Sequence, residues 1–291
     1  MPLSVLIAPD KFKGTLTARQ AAAAIARGWK TARPDDKLLQ LPISDGGDGF
    51  GALMAEALRV DSLMIETQDA AHAPTTAPCW MVRGSGTAII ESANVIGLAM
   101  LPTGKRQPLA LDSHGLGIVL QDERLTGCRQ RIIGVGGSAT NDGGFGMARE
   151  LGWRFENAQG EPIRAWVDLV KVQKIHPPKS KFSGEAIVAV DVQNPLLGPN
   201  GCTRVFGPQK GLQEEDVLRA EAALVRLAAV WEARTGEDAA SVCVPRPLLE
   251  VLIAAEPRLL GSKTKSGRTA LHCALAPRRP TPPELPPLEY W

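Results

Sequence analysis

Residues 131–144 read Arg131-Ile132-Ile133-Gly134-Val135-Gly136-Gly137-Ser138-Ala139-Thr140-Asn141-Asp142-Gly143-Gly144. Arg131–Val135 is a short, mainly apolar run, the pattern of a strand inside a sheet. It opens into a glycine-rich loop, after which a helix is expected to carry on to Leu151. Successive glycines after a strand leave backbone N–H groups free to cradle an anion, and Ser138 and Thr140 add hydroxyl donors. Asp142, at the start of the next helix, suits either an N-cap or a metal ligand. No Lys follows the glycines, so the P-loop pattern is not met. A dinucleotide fingerprint needs a third glycine where Ala139 stands, and no acidic residue ends a suitable strand about twenty residues on. A nucleotide or sugar-acid phosphate site fits better, in an α/β protein.

Outward toward the N-terminus the same grammar recurs twice. Leu3–Ala8 is a short apolar strand that ends at Pro9-Asp10-Lys11-Phe12-Lys13-Gly14. A helix follows, with Thr17 as N-cap and Gln20 at capping-box spacing. Pro34-Asp35-Asp36 turns the chain into a strand at Lys37–Leu41, which runs into Ser44-Asp45-Gly46-Gly47-Asp48-Gly49 and a helix over Phe50–Leu58. Lys11 and Lys13 at a helix N-terminus can neutralise phosphate or carboxylate, and Asp10 can hold a metal or accept a proton. Asp45 and Asp48, separated by glycines, suit Mg²⁺ or a polyhydroxy substrate. Solvated turns that merely favour Asp, Lys and Gly remain the competing reading of both loops.

Outward toward the C-terminus the texture changes. Ser62–Gln68, Ala77–Arg83 and Thr87–Glu91 read as strands without intervening helices, which predicts a mixed or antiparallel sheet. A helix is expected from Asp112-Ser113 toward Leu125, and a strand over Ala186–Val190 delivers Asp191 at its end. That is the usual place for an active-site carboxylate in open α/β sheets. Asn194–Gly211 reads as a loop that carries Lys210 toward a phosphate, and Glu214–Thr235 as an amphipathic helix.

The chain has 291 residues, 44% hydrophobic and 22% charged, enough for a sizeable core and one or two domains. Its formal charge of +2 is too balanced for an electrostatic binder of nucleic acid or membrane. The five cysteines are widely spaced with no CxxC pair, against structural zinc or a disulfide framework. Neither a signal peptide nor a membrane span is read, so a cytoplasmic protein is expected. Residues 241–291 hold nine of the 23 prolines but two of the 29 glycines, and only Pro247–Ala255 looks helical there.

Together these motifs resemble the bacterial glycerate kinase family. The resemblance rests on Ala8–Leu16, Ile43–Phe50, Gly134–Gly144, Asp191, Asn194–Gly201 and Phe206–Gly211, with a softer likeness at Ile90–Leu98. It is collinear over residues 1 to about 240. It implies ATP- and Mg²⁺-dependent phosphorylation of a hydroxyl of D-glycerate. The implied fold is α/β, a Rossmann-like lobe with an inserted second α/β domain. The expected boundaries are 1–65 for the first part of the lobe, 66–240 for the insertion and 241–291 for an anomalous tail that leaves the lobe incomplete.

Family motifs expected after about Ala240 do not occur, and a reading-frame shift near Val242–Arg246 is the expectation. The resemblance makes Asp10, Lys11, Lys13, Asp45 and Asp191 the catalytic candidates. Gly136, Gly137, Ser138, Thr140, Asn141, Asn194 and Lys210 are expected to bind substrate or phosphate, and Asp48 and Asp142 a metal. Two alternatives stand beside it: a catalytically disabled remnant, and a nucleotide-dependent oxidoreductase that uses Gly134–Ala139.

Overall fold

A buried glutamate and one glycine loop share the end of a five-stranded sheet where β5 and β6 stop level with one another, and a second glycine loop reaches them from a separate two-stranded sheet. The computed structural model describes residues 2–12, 14–82, 84–102, 104, 106–179, 184–189, 192–236 and 238. Lys13, Asp191, the anomalous tail and its expected helix lie outside the described residues.

The strands are β1 (Ser4–Ile7), β2 (Lys37–Gln40), β3 (Ser62–Gln68), β4 (Pro74–Val82), β5 (Thr87–Glu91), β6 (Gln130–Gly134), β7 (Arg154–Glu156), β8 (Lys174–His176) and β9 (Glu185–Ala189). The α-helices are α1 (Ala18–Ala32), α2 (Phe50–Leu58), α3 (Ala93–Ile96), α4 (His114–Gln121), α5 (Phe145–Glu150), α6 (Cys202–Lys210) and α7 (Glu214–Thr235).

β1 and β2 pair in parallel, with Leu6 opposite Leu39, and α1 covers one face through Ala22 and Ala26 against Ile7, Val5 and Leu38. Helix α1 starts where the sequence places it. Thr17 Oγ1 accepts from Gln20 N, and the Gln20 side chain accepts from Thr17 N. The turn into β2 is fixed by Asp36, which accepts from Leu3 N (2.8 Å), Trp29 Nε1 (2.9 Å) and Arg33 Nε (2.6 Å). The Arg33 hydrogen bond, then that of the Leu3 amide, holds its carboxyl well below the usual range.

The larger sheet has the order β3-β4-β5-β6-β9. β3, β4 and β5 are antiparallel, whereas β5, β6 and β9 run parallel, so the sheet is mixed as the helix-free stretch predicts. β5 is buried at every position, the signature of a strand covered on both faces. On one face Ile65, Ile90 and Ile133 pack with Val119 and Leu120 of α4. On the other, Ile89 and Trp80 pack with Phe50 and Ala55 of α2. Residue 66, the expected start of the inserted domain, lies within β3. A third core joins α5, the β7–β8 hairpin and α7 through Phe145, Phe155, Trp166, Leu224 and Trp231. Helix α7 keeps the predicted bounds; Glu214, Glu215 and Asp216 complement its N-terminal dipole, and Gly236 caps its C-terminus in a left-handed conformation.

Two local expectations are corrected. The helix expected to reach Leu125 ends at Gln121, because Asp122 turns outward and accepts from Arg124 N to start a separate 3₁₀ turn over Glu123–Leu125. The segment read as one long loop contains α6, with Pro208 in its last turn and Gly211 as a left-handed cap. Pro208 is tolerated there because it lies near the helix end, where little helix remains to be broken.

Candidate active site

Parallel register sets the site's geometry. Glu91 pairs with Gly134, and Gly134 with Ala189, so β5, β6 and β9 end at one level, and the segments after β5 and β6 emerge together. Open α/β sheets bind ligands at this carboxyl edge. β1 and β2 deliver their loops in the same way. Leu41 N donates to Ile7 O (2.9 Å) and Ile43 N to Pro9 O (3.0 Å), so the Asp10 and Asp45 segments leave side by side.

Lys11 bridges those segments. Its Nζ lies 2.6 Å from Asp45 Oδ1 and 3.9 Å from Asp10 Oδ1, while its backbone N–H donates to Asp10 Oδ1 at 2.6 Å. Gly47 N also donates to Asp45 Oδ1 (2.8 Å). Burial would lower the Lys11 pKa, but the Asp45 hydrogen bond and the Asp45, Asp10 and Asp48 charges raise it overall. Burial likewise opposes ionisation of Asp45, and Lys11 with the Gly47 amide overcomes it, leaving the carboxyl below its ordinary value. Asp45 is therefore an anchored anion and a weak base.

The two glycine loops touch through backbone. Gly136 N donates to Gly46 O at 3.2 Å. A Cβ on Gly136 would lie 2.5 Å from Gly47 Cα, and one on Gly134 would lie 2.5 Å from Gly46 O. Gly137 has φ +75°, and a Cβ there would lie 2.7 Å from Asp48 Oδ1. Asp48 is exposed at this junction and makes no hydrogen bond among the described residues. A cleft of about 520 Å³ opens in front of Asp10, Lys11, Ser44 and Asp48, with Phe12 and Leu53 on its walls.

The far end of the Gly134–Gly144 loop meets α6. Lys210 Nζ donates to Thr140 O and lies 3.4 Å from Ser138 Oγ. Its partners are neutral oxygens, and among the described residues no carboxylate lies within ion-pair distance. Burial pushes its pKa down against the opposing pull of Cys202 and Asp142. Asn141 Nδ2 donates to Thr203 Oγ1 (3.0 Å), which ties the loop to the first turn of α6.

The sequence candidates thus divide. Asp10, Lys11, Asp45, Asp48, Gly136 and Gly137 come together, Ser138 and Thr140 continue the Gly136 loop, and Lys210 meets it from α6. Asn194 turns inward on its own segment, where Nδ2 donates to Asn200 O (3.0 Å). Asp142 is 2% exposed and lies two residues before Gly144, the N-cap of α5, with its side chain turned to amides of that helix end. Its oxygens accept from Ser113 Oγ (2.7 Å), Ser113 N (2.9 Å), Gly146 N (2.9 Å) and Gly144 N (3.2 Å). Burial first, then the neighbouring Asp112 charge, raises its pKa. Those bonds leave it a clamp between α4 and α5, with its oxygens turned to the chain's own donors. No three His, Cys, Asp or Glu groups converge on a metal position among the described residues.

Glu91 and Ser92 border both loops, although the sequence reading has Glu91 as a strand end and both residues only within the softer likeness at Ile90–Leu98, with no site role. Glu91 accepts from Gly49 N (2.9 Å) and Gly51 N (2.8 Å), and Ser92 N donates to Gly134 O (2.8 Å). A buried acid at a strand's carboxyl end was the available signal.

A mixed α/β fold that brings together two glycine loops, an anchored Lys–Asp pair and a lysine that meets no carboxylate among the described residues defines the class: an α/β protein with a candidate site at the carboxyl ends of its strands. Residues 5–246 match the Glycerate kinase family, and the chain belongs to that family. It is 35% identical over 249 residues to a glycerate kinase of Halalkalibacterium halodurans, covering 82% of this chain and 64% of that protein. It is 36% identical over 232 residues to glycerate 2-kinase of Escherichia coli, covering 74% and 58%. A crystal structure described as a glycerate kinase 2 from Salmonella typhimurium LT2 is similar with a TM-score of 0.73 at 33% identity, covering 88% of this chain and 70% of that one. The chain spans about three-fifths of the length of these curated relatives. Among these relatives none favours the oxidoreductase alternative.

Proposed function

We propose that this chain carries a glycerate kinase site that transfers the terminal phosphoryl group of ATP to a hydroxyl of D-glycerate, with Mg²⁺. The supporting observation is Lys210, a partly buried ammonium whose partners among the described residues are the neutral oxygens of the Gly136–Asn141 loop. A polyphosphate would supply a counter-charge, and the Ser138 hydroxyl stands 3.4 Å from the ammonium.

The remaining groups fit the other demands of phosphoryl transfer, which are positioning and charge neutralisation. Mg²⁺ keeps several waters and takes one or two carboxylates together with phosphate oxygens. Asp48, exposed beside Gly137, suits that role without a closed protein cage. When bound, the ion would offset phosphate charge. Lys11, fixed by Asp45, faces the cleft and would receive the acid's carboxylate. The hydroxyl oxygen forms the new P–O bond while the bond to the departing diphosphate breaks, and its proton passes to a carboxylate. Asp10 and Asp191 are the candidates for that acceptor; Asp191 lies outside the described residues. The division into an N-terminal unit around β1 and β2 and a second unit on the five-stranded sheet belongs to the same proposal. So does a cytoplasmic setting, which suits three buried free cysteines, Cys79, Cys128 and Cys202.

The test is ATP consumption by the purified chain, dependent on both glycerate and Mg²⁺, compared with Lys210→Met. Turnover in the parent chain, and a loss of kcat/KM for ATP of about 100-fold in the variant at an unchanged melting temperature, is expected. A cooperative melt with no turnover above background in the parent chain would refute the kinase reading and leave a disabled remnant.

A further inference from the structure

Glu91 lies beside both glycine loops. It ends β5, the strand buried at every position, and is itself 2% exposed. Both of its oxygens are engaged from a single direction, by Gly49 N at 2.9 Å and Gly51 N at 2.8 Å. These amides belong to the N-terminal end of α2, immediately after Asp48. No side-chain cap inside the 44–49 loop serves that end, since its cap residue is Gly49.

The glycines are needed for this grip. Gly49 has φ +88°, a conformation that side chains disfavour, and a Cβ at Gly51 would lie 1.9 Å from the Trp80 ring. The adjacent residue holds the other loop: Ser92 N donates to Gly134 O at 2.8 Å, and Ser92 Oγ lies 3.5 Å from Gly136 O. The Glu91-Ser92 dipeptide therefore fastens residues 44–51 with its first side chain and residues 134–136 with its second residue. The direct loop contact, Gly136 N to Gly46 O, lies between those two attachments.

We propose that Glu91 is a positioning residue. By accepting the Gly49 and Gly51 amides from the rigid end of β5, it sets the 44–49 loop against the 134–137 loop and so fixes Asp45 and Asp48 relative to the phosphate loop. It touches neither nucleotide nor acid and acts through the loop it holds. Each amide points at its own oxygen, Gly49 N at Oε1 and Gly51 N at Oε2, so a glutamine in the same pose would set an NH₂ donor against one of the two N–H groups. This inference rests on the kinase reading for its catalytic consequence, but the grip itself is independent of that reading.

The experiment uses the full chain with Glu91→Gln and Glu91→Asp. Amide hydrogen exchange is followed by NMR at Gly49, Gly51 and Gly136, with Leu224 of α7 as a distant reference, and glycerate-dependent turnover is measured in parallel. Glu91→Gln is expected to speed exchange at Gly49 or Gly51 at least tenfold while Leu224 stays as in the parent chain. It is also expected to lower kcat at least tenfold with KM for ATP changed less than threefold, and Glu91→Asp, which keeps two oxygens on a shorter arm, should recover part of both. Unchanged exchange, exchange raised equally at Leu224, or local loosening with full kcat would each overturn the proposal. If the parent chain shows no turnover, the kinase reading and with it the catalytic consequence fail, and the exchange pattern alone decides whether Glu91 holds the loop.

Discussion

Gly136→Ala tests whether backbone contact between the two loops sets catalytic geometry. The added Cβ would lie 2.5 Å from Gly47 Cα and 3.0 Å from Gly47 N. Ordinary contact begins at 3.4–4 Å, and these neighbours are backbone atoms that cannot rotate away. The loops must therefore part by about 1 Å, which also stretches the 3.2 Å bond from Gly136 N to Gly46 O. Overpacking of this kind costs about 1–3 kcal/mol of stability. A displacement of about 1 Å within a reacting assembly costs about 100-fold in rate.

The assay pairs urea unfolding with glycerate-dependent ATP turnover, and Gly28→Ala serves as the control. Gly28 lies inside α1 with nothing within 4 Å of an added Cβ, so that change is expected to stabilise by about 0.5–1 kcal/mol and leave turnover intact. Gly136→Ala with parent-like turnover and an unshifted unfolding midpoint would refute the contact argument.

Asp142→Ala is expected to cost about 2–4 kcal/mol in urea unfolding, because it strands the Ser113 and Gly146 donors inside the protein. The Lys11–Asp45 pair makes stability fall at both pH extremes. The folded Asp45 value is depressed, so its contribution is present above the unfolded carboxylate value and is lost as pH falls through the folded one. The folded Lys11 value is raised, so its contribution is present below the unfolded lysine value and is lost as pH rises through the folded one. Lys11→Met should flatten the acid limb of an unfolding-versus-pH series; an acid limb as steep as the parent's would refute the pairing. The Cys79 thiol is pushed up to about 12, mainly by burial, so it should resist alkylation at pH 8 until the chain unfolds, as mass spectrometry of the labelled protein would report.

Phe50–Leu58, Thr87–Glu91 and Glu214–Thr235 carry in sequence the bounds they have in space, because an apolar period or run ends in each case at a clear polar or glycine boundary. Helix α6 does not announce itself. Pro195, Pro199, Gly201, Pro208 and Gly211 crowd its flanks and its last turn, and they mask nine helical residues. The three-residue strands β7 and β8 are too short to show a period. The loops themselves were legible, since glycines beside Asp, Ser and Lys serve few purposes other than turns and ligands. Glu91 was not, because a buried acid at a strand end reads as a boundary until its partners in α2 are known. Asp142 was legible only as a choice between N-cap and metal ligand, and its bonds to Ser113 and Gly146, 29 and 4 positions away, belong to the fold.

The sequence by itself determined the local units: strand, glycine loop and capped helix, each specified by residues within a few positions of one another. Tertiary structure alone decided which units meet. The bonds from Lys11 to Asp45, Gly49 to Glu91 and Lys210 to Ser138 join residues 34, 42 and 72 positions apart. Such pairings follow from strand register and from the faces that helices bury, and both are set by the packing of the whole sheet, so no short stretch of sequence contains them.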